Sequence, residues 1–345
     1  MRNSGFPSFS LASRAALAAA LACAAAATAN ADRTRQIYVL GTLGGASGFA
    51  RGINDFGTVV GESELANGET HAFYWKPWED RMVDLGTLGG DDSRAAAINN
   101  GGLAVGTSKT SPGEYCGRAV VWSTNRTRPP TVLPDLVPND PFSCSQPAAI
   151  NDAGIIAGVS SGKAVRWVKG RVEALTPPPG ADNCLATGIN DRGWITLQCN
   201  TFGGPRSFLW KEGAVTDLGS LGGSFTVAND VNNKGQVAGY GENSTGGLDA
   251  FLWRNGAFTL LPSLGGYANA RSLTDNGLAA GEAATEAGSH AVAWDCHGAI
   301  TDLGTLPRTT FSSAFGINSR GTVAGVNFVD TGDPETSGFR AVIWR

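Results

Sequence analysis

The sequence predicts an all-β fold, a seven-bladed β-propeller of four-stranded blades, closed by the N-terminal strand pairing with the last blade. Three observations carry the prediction. First, four short phrases recur in the same order seven times along the chain. Second, the third phrase ends in Trp every time, at Trp75, Trp122, Trp167, Trp210, Trp253, Trp294 and Trp344, a spacing of about 45 residues that suits a four-stranded blade. Third, the two ends are complementary in phase. Ile37-Tyr38-Val39-Leu40-Gly41-Thr42-Leu43 is a fourth phrase without its first three, and Trp344-Arg345 ends a third phrase without its fourth. Joined, they complete seven blades and leave no unpaired edge strand, which favours a ring over an open solenoid.

The segment before the repeats is expected to be a signal peptide, residues 1–31. Arg2 and Arg14 are its only charges, Ala15 to Ala29 is an apolar run of mostly Ala and Leu, and Ala29-Asn30-Ala31 places small residues where a signal peptidase reads them. Cleavage before Asp32 leaves a single domain, 32–345. A membrane anchor is disfavoured because the run is short and alanine-rich for a span of about 20 apolar residues. A lipoprotein reading of Cys23 is disfavoured by Ala20, three residues before it. The expected location is secreted or periplasmic, with no membrane span after cleavage.

Within each repeat the first phrase ends in a turn, as in Ile53-Asn54-Asp55-Phe56-Gly57, Ile150-Asn151-Asp152-Ala153-Gly154 and Ile317-Asn318-Ser319-Arg320-Gly321. Asn and Asp followed by Gly tolerate the positive φ of tight hairpins, so this phrase joins strands one and two. Next comes a short apolar run closed by Gly, such as Val59-Val60-Gly61 or Val237-Ala238-Gly239. In the third phrase the residues just before Trp are apolar, as in Phe73-Tyr74, so both faces of that strand are expected to be buried between blades. Trp followed shortly by Gly, as in Trp210-Lys211-Glu212-Gly213, reads as the turn between strands three and four. The fourth phrase is clearest in Asp84-Leu85-Gly86-Thr87-Leu88-Gly89-Gly90 and Asp217-Leu218-Gly219-Ser220-Leu221-Gly222-Gly223. With 48 glycines in 345 residues, about twice the usual share, these recurring positions account for the excess as turn glycines. Four residues before the turn Asn (or Thr274) stand Ala50, Ala95, Pro147, Ala186, Ala228, Ala270 and Ala314, small side chains suited to an inner strand where blades crowd towards the axis.

His71-Ala72-Phe73, the IN turn, the VVG phrase and the DLGTLGG phrase together resemble the HAF-type extracellular repeat family of secreted bacterial repeat proteins. The resemblance covers residues 37–345 in seven linked copies. It implies export and a repeat architecture, and it brings no established reaction or catalytic residue. The third and fourth repeats depart most, with Asp135-Leu136-Val137-Pro138 and Thr176-Pro177-Pro178-Pro179-Gly180 for DLGTL, and Trp194-Ile195-Thr196-Leu197 for VVG.

Composition limits the partners. Charged residues are 16% of the chain, and removing Arg2 and Arg14 leaves 24 basic against 30 acidic residues, a net charge of −6. Nucleic acid bound through bulk positive charge is therefore not expected. Five cysteines follow the leader. Cys116 with Cys144, and Cys184 with Cys199, map to the same face and are disulfide candidates; Cys296 is expected to be the odd, free thiol. No CxxC, HExxH or EF-hand loop occurs, so no metal or catalytic motif is expected. No cofactor is expected, and calcium on the acidic loop of Asp330, Asp333 and Glu335 is weighed against simple solvation.

Function is expected on the face carrying the strand two-three loops and the blade connections, because the long variable loops, Thr107 to Gly117 and Phe328 to Gly338, lie there. Two polar sets could line a site. Four residues before each Trp come His71, Arg118, Lys163, Arg206, Asp249, His290 and Arg340, a mostly cationic ring. Three or five residues before the turn Asn come Arg51, Arg94, Gln146, Asn229, Asn269 and Arg271, which would form a polar funnel for an anionic or hydroxylated ligand if they face the axial channel. Solvated strand ends are the plainer explanation of both. The expected function is non-enzymatic binding of a glycan, a cell-envelope component or a protein through this loop face. The rival is a propeller hydrolase or lyase acting on a polysaccharide or lactone in the channel, with acid–base help from Asp230, His71 or His290. A fold that hosts many activities cannot choose between them.

Overall fold

The computed structural model describes residues 36–126, 128–138, 144–333 and 336–345, and the expected signal peptide lies outside them. Seven antiparallel sheets of four strands are arranged in a ring. With strands lettered a to d from the axis outwards, blade 1 is Gly44–Ile53, Val59–Leu65, Thr70–Trp75 and Met82–Asp84. Blade 2 is Ser93–Ile98, Leu103–Ser108, Arg118–Ser123 and Thr131–Val132, and blade 3 is Ser145–Ile150, Ile156–Ser160, Lys163–Val168 and Arg171–Ala174. Blade 4 is Ala181–Ile189, Ile195–Thr201, Gly204–Lys211 and Ala214–Asp217; blade 5 is Gly222–Val231, Val237–Asn243, Leu248–Arg254 and Ala257–Leu260. Blade 6 is Ala268–Leu273, Ala279–Ala284, Ser289–Trp294 and Ile300–Asp302. Blade 7 takes Ser312–Ile317, Val323–Val329 and Gly338–Trp344 from the end of the chain and its strand d, Ile37–Val39, from the start. Tyr38 stands opposite Ile343, and Val39 opposite Val342. The closure expected from the phase of the repeat is the one observed. No helix among the described residues is long and apolar enough to cross a membrane.

The core lies between blades. All seven phrase-ending tryptophans are buried, and each packs with apolar residues of its own and a neighbouring blade, as Trp122 does with Val60 and Ala72 of blade 1. The small inner-strand residues Ala50, Ala95, Ala228, Ala270 and Ala314 have no exposed surface.

The IN turn does more than turn. Positive φ falls on the glycine, from Gly57 to Gly321 at 74° to 89°, and not on the asparagine. Gly57 N–H donates to Asn54 C=O while Asn54 N–H donates to Thr58 C=O, a three-residue hairpin loop with its glycine in the left-handed position. Asn54 is buried, its Oδ1 accepts from Phe56 and Thr58 N–H, and its Nδ2 donates to Asn99 C=O of the next blade at 3.1 Å. The same clip runs Asn99 to Asn151, Asn151 to Asn190, Asn190 to Asn232 and Asn232 to Thr274, and Asn318 closes the circle on Asn54 at 3.0 Å. Asparagine is selected because one amide caps its own turn and ties down the neighbour, satisfying groups that burial would otherwise orphan.

The glycine of the VVG phrase, by contrast, is not the turn residue it was expected to be. It sits inside strand b against the carbonyl of strand a, where a Cβ on Gly61 would lie 1.8 Å from Phe49 O and one on Gly106 1.9 Å from Arg94 O. The DLGTLGG phrase ends strand d and leads to the next blade. Asp84 Oδ1 accepts from Gly86 N–H, Gly86 and Gly89 have φ of 70° and 115°, and Thr87 Oγ donates to Gly90 C=O. Between strands c and d, Glu212-Gly213 and Asn255-Gly256 both have positive φ, the two-residue turn that the Trp-x-x-Gly pattern predicts.

Cys116 pairs with Cys144, linking blades 2 and 3, and Cys184 pairs with Cys199 within blade 4, as expected. Cys296 is disulfide-bonded as well, which corrects the expectation of a free thiol there.

Candidate functional site

A β-bulge interrupts every inner strand directly after its small residue, between Ala50 and Gly52, Ala95 and Ala97, and at the matching place in the other five blades. The extra residue is Arg51, Ala96, Ala148, Thr187, Asn229, Arg271 or Phe315, and all seven line the axial channel. Bulges re-aim side chains, and here they set the waist of the channel. The mouth on the IN-turn side has a volume of about 340 Å³; the mouth on the loop side, about 590 Å³, adds Glu62, Arg94, Thr107, Gln146 and Leu185.

The chemistry of the channel concentrates where blades 6, 7 and 1 meet. Arg51 donates through Nε and Nη2 to Glu62 Oε1 at 2.9 and 2.6 Å, and Arg271 Nη2 donates to Glu282 Oε1 at 2.6 Å. Both glutamates are buried on strand b, and Glu282 also accepts from Ser313 Oγ at 2.7 Å. Between the two arginines stands Phe315, with the guanidinium carbons of Arg51 and Arg271 at 4.6 and 5.3 Å from its ring centre. The side chains of both arginines remain one-third exposed. Each guanidinium has five donors and spends only part of them on its glutamate, so two fixed cations face the channel with N–H groups to spare. Arg94 lies at the same mouth, held by Asp92 at 2.8 Å. Asn229 spends its amide donor on Asn269 Oδ1 and Ala270 C=O, both at 2.8 Å, which leaves a carbonyl oxygen as its contribution.

On the opposite mouth, Asp230 occupies a place where other blades carry Gly, Ala or Ser. Its carboxylate reaches across to Leu273 N–H of blade 6 at 2.9 Å. Burial outweighs that bond and those from Val231 N–H and Ser272, and it pushes the carboxyl up to about 7.

The cationic ring four residues before each Trp does not join this site. Its members stand at or near the start of strand c, and none lines the channel. His71 Nδ1 lies 2.8 Å from Asp84 and His290 Nδ1 2.9 Å from Asp302, equivalent pairs between strands c and d. Arg118 is paired with Asp135 at 2.5 Å, Arg340 donates to the carbonyls of Ala46 and Thr336, and Arg206 stands opposite Cys199 in the ladder. Of Asp230, His71 and His290, named as alternative acid–base groups, only Asp230 lines the channel, because both histidines belong to the outer half of their blades. Of the loop weighed for calcium, Glu335 lies outside the described residues, and Asp330 accepts from Gly332 N–H and Ser337 Oγ.

Glu62, Glu282 and Phe315 were not singled out from the sequence. A signal was present: Arg51 and Arg271 are each followed eleven residues later by the Glu after a VVG-type glycine, Gly61-Glu62 and Gly281-Glu282.

The sequence matches no protein-family model and no curated protein. Solved structures with a similar fold include virginiamycin B lyase from Staphylococcus aureus (12% identity, 90% of this chain and 99% of that one, TM-score 0.59) and the WD40 β-propeller domain of Doa1 (13%, 90% and 97%, 0.53). TolB from Acinetobacter baumannii is more distant (13%, TM-score 0.49), and the match spans 71% of this chain and 62% of the TolB chain. At these identities the likeness is one of fold.

Proposed function

We propose that this protein is exported by its N-terminal signal peptide and acts as a non-enzymatic binding protein, taking an anionic or hydroxylated ligand, a glycan or cell-envelope component, at the loop-side mouth of the channel. The observation that carries the reading is the Arg51–Phe315–Arg271 sandwich. Two guanidinium groups are pre-positioned by buried glutamates on either side of an aromatic ring, in the manner that binds a carboxylate, phosphate or sugar hydroxyl pair without prior rearrangement. The repeat grammar resembles that of secreted repeat proteins, and the disulfides Cys116–Cys144 and Cys184–Cys199 suit an oxidising compartment.

The test is a screen of residues 32–345 against a glycan panel and envelope extract, repeated with Phe315→Ala and with Arg51→Gln/Glu62→Gln, the paired change avoiding a buried unpaired charge. Loss of the captured ligand in both variants, at unchanged thermal midpoint, is the expected result. Retention in both would remove the site from the channel.

A further inference from the structure

A second concave feature lies on the IN-turn face, at the seam where blades 7 and 1 close the ring. It is a cleft of about 440 Å³ walled by Phe56 on the IN turn of blade 1, Pro77 and Trp78 on the strand c–d turn of the same blade, and Arg320 on the IN turn of blade 7. Its size is within the range of small-ligand sites, about 300–1,000 Å³.

Two of these residues break the repeat. Phe56 is aromatic where the other IN turns carry Gly, Ala, Arg, Lys or Asn, and Trp78 sits in an enlarged turn, Lys76 to Arg81, where blades 3, 4 and 5 use two residues. Both are exposed to solvent, Trp78 by 66% and Phe56 by 57%, so neither is accounted for by the core. Yet the turn that carries Trp78 is firmly mounted. Lys76 is buried, its Nζ donates to Thr124 C=O of blade 2 at 2.8 Å and lies 3.3 Å from Glu79, and Glu79 and Asp80 N–H both donate to Lys76 C=O. The same ammonium lies 5.9 Å from the centre of the Trp78 ring, which ties the indole to its anchored turn. Arg320 makes no salt bridge among the described residues, although its charge reaches Asp55 of the same cleft, whose carboxyl, despite its burial, is held below the usual range mainly by its hydrogen bonds and in part by Arg320. Asp55, the acidic group at the inner end, is already occupied by Ser319 N–H and Asn100 Nδ2.

We propose that this cleft is a second ligand site, separate from the channel, that takes a carboxylate-bearing pyranose of an acidic saccharide, with the sugar ring stacked on Trp78 beside Phe56 and the carboxylate on Arg320. A flat, solvent-facing ring fits the C–H face of a pyranose, and a guanidinium at its side that no salt bridge engages supplies the charge complement. The walls are turns, so the cleft offers no strand edge on which an acidic peptide could add a main-chain ladder.

The test is calorimetric titration of residues 32–345 with trigalacturonate, cellotriose and a hexaglutamate peptide, with acrylamide quenching of the exposed Trp78 as a second readout. Trigalacturonate is expected to bind and shield Trp78. Trp78→Ala should weaken it by more than about tenfold and Arg320→Gln by about tenfold, with partial recovery in Arg320→Lys. Cellotriose or hexaglutamate binding as tightly, no trigalacturonate binding, or unchanged binding by Trp78→Ala would each overturn the assignment. Loss of binding in Phe315→Ala alone would move the saccharide to the channel, refuting the second site while leaving the first standing.

Discussion

Single residues carry most of what is not repeated, and Asp230 is the clearest. Its carboxyl is pushed up to about 7 by burial, against an ordinary value near 4, so the folded protein holds this proton more tightly than the unfolded chain. The contribution is therefore fully present below the ordinary carboxylate range and is lost as pH rises towards 7, by on the order of 4 kcal/mol across the window. Asp230→Asn mimics the protonated form at every pH. Urea unfolding of both proteins between pH 4 and 8 should show the variant gaining on the parent as pH rises; a difference independent of pH would refute the assignment. The asparagines of the IN turns show how a residue can be legible while its role is not. Their place in a turn was readable, but Asn151 was read as a tolerant of positive φ, whereas it caps Ile155 N–H and clips Asn190 C=O of the next blade. A bond 39 residues distant leaves no local trace. Blade 6 illustrates the division of labour: Thr274 keeps the cap, and Asn276 supplies the clip through Nδ2 to Ser319 C=O.

At the scale of the strand, alternation predicts faces only while the ladder is regular. The expectation that residues three and five before the turn Asn line the channel holds for Arg51, Arg94, Gln146, Asn229 and Arg271, but Asn269 is buried behind Asn229, from which its Oδ1 accepts. The bulge after the small residue shifts the period by one, and nothing in a two-residue repeat announces it. The glycine of strand b is the counterpart of that bulge: it makes room for the carbonyl that the bulge pushes across. Gly106→Ala places a Cβ 1.9 Å from Arg94 O and is expected to cost about 2–3 kcal/mol in urea unfolding, although the backbone there is one any residue adopts. Blade 4 carries Leu197 in this place, opposite Ala186, and its strand a has a second register shift between Asp182 and Leu185. A second shift of this kind also occurs in strand a of blades 1 and 5, so the divergent sequence of blade 4 keeps the common geometry there. The cationic ring stands on the loop face as expected, yet it lines neither mouth of the channel. Its spacing from Trp fixed its height in the blade, but distance from the axis depends on strand order, and strand c lies two ladders out.

For the whole molecule the decisive question is whether the ring must close. Seven blades were legible from the phase of the repeat, because a fourth phrase at one end and a missing one at the other define a join. The join holds through Ile37–Val39 on Gly338–Trp344, burial of Leu40, and the clip from Asn318 to Asn54 across 264 residues of sequence. A chain of residues 44–345 loses the first two and keeps the third. Burial of Leu40 alone contributes about 2 kcal/mol, and the ladder it accompanies would be replaced by an open edge at Gly338–Trp344, a template for pairing with a second copy. The truncated protein should therefore unfold at lower denaturant by about 3 kcal/mol or more, and light scattering should show it associating at concentrations where residues 32–345 do not. Adding back a peptide of residues 36–43 should reverse both effects. A monomer of undiminished stability would mean that the clips alone hold the ring, and that the strand supplied from the start of the chain is an ornament to a circle already shut.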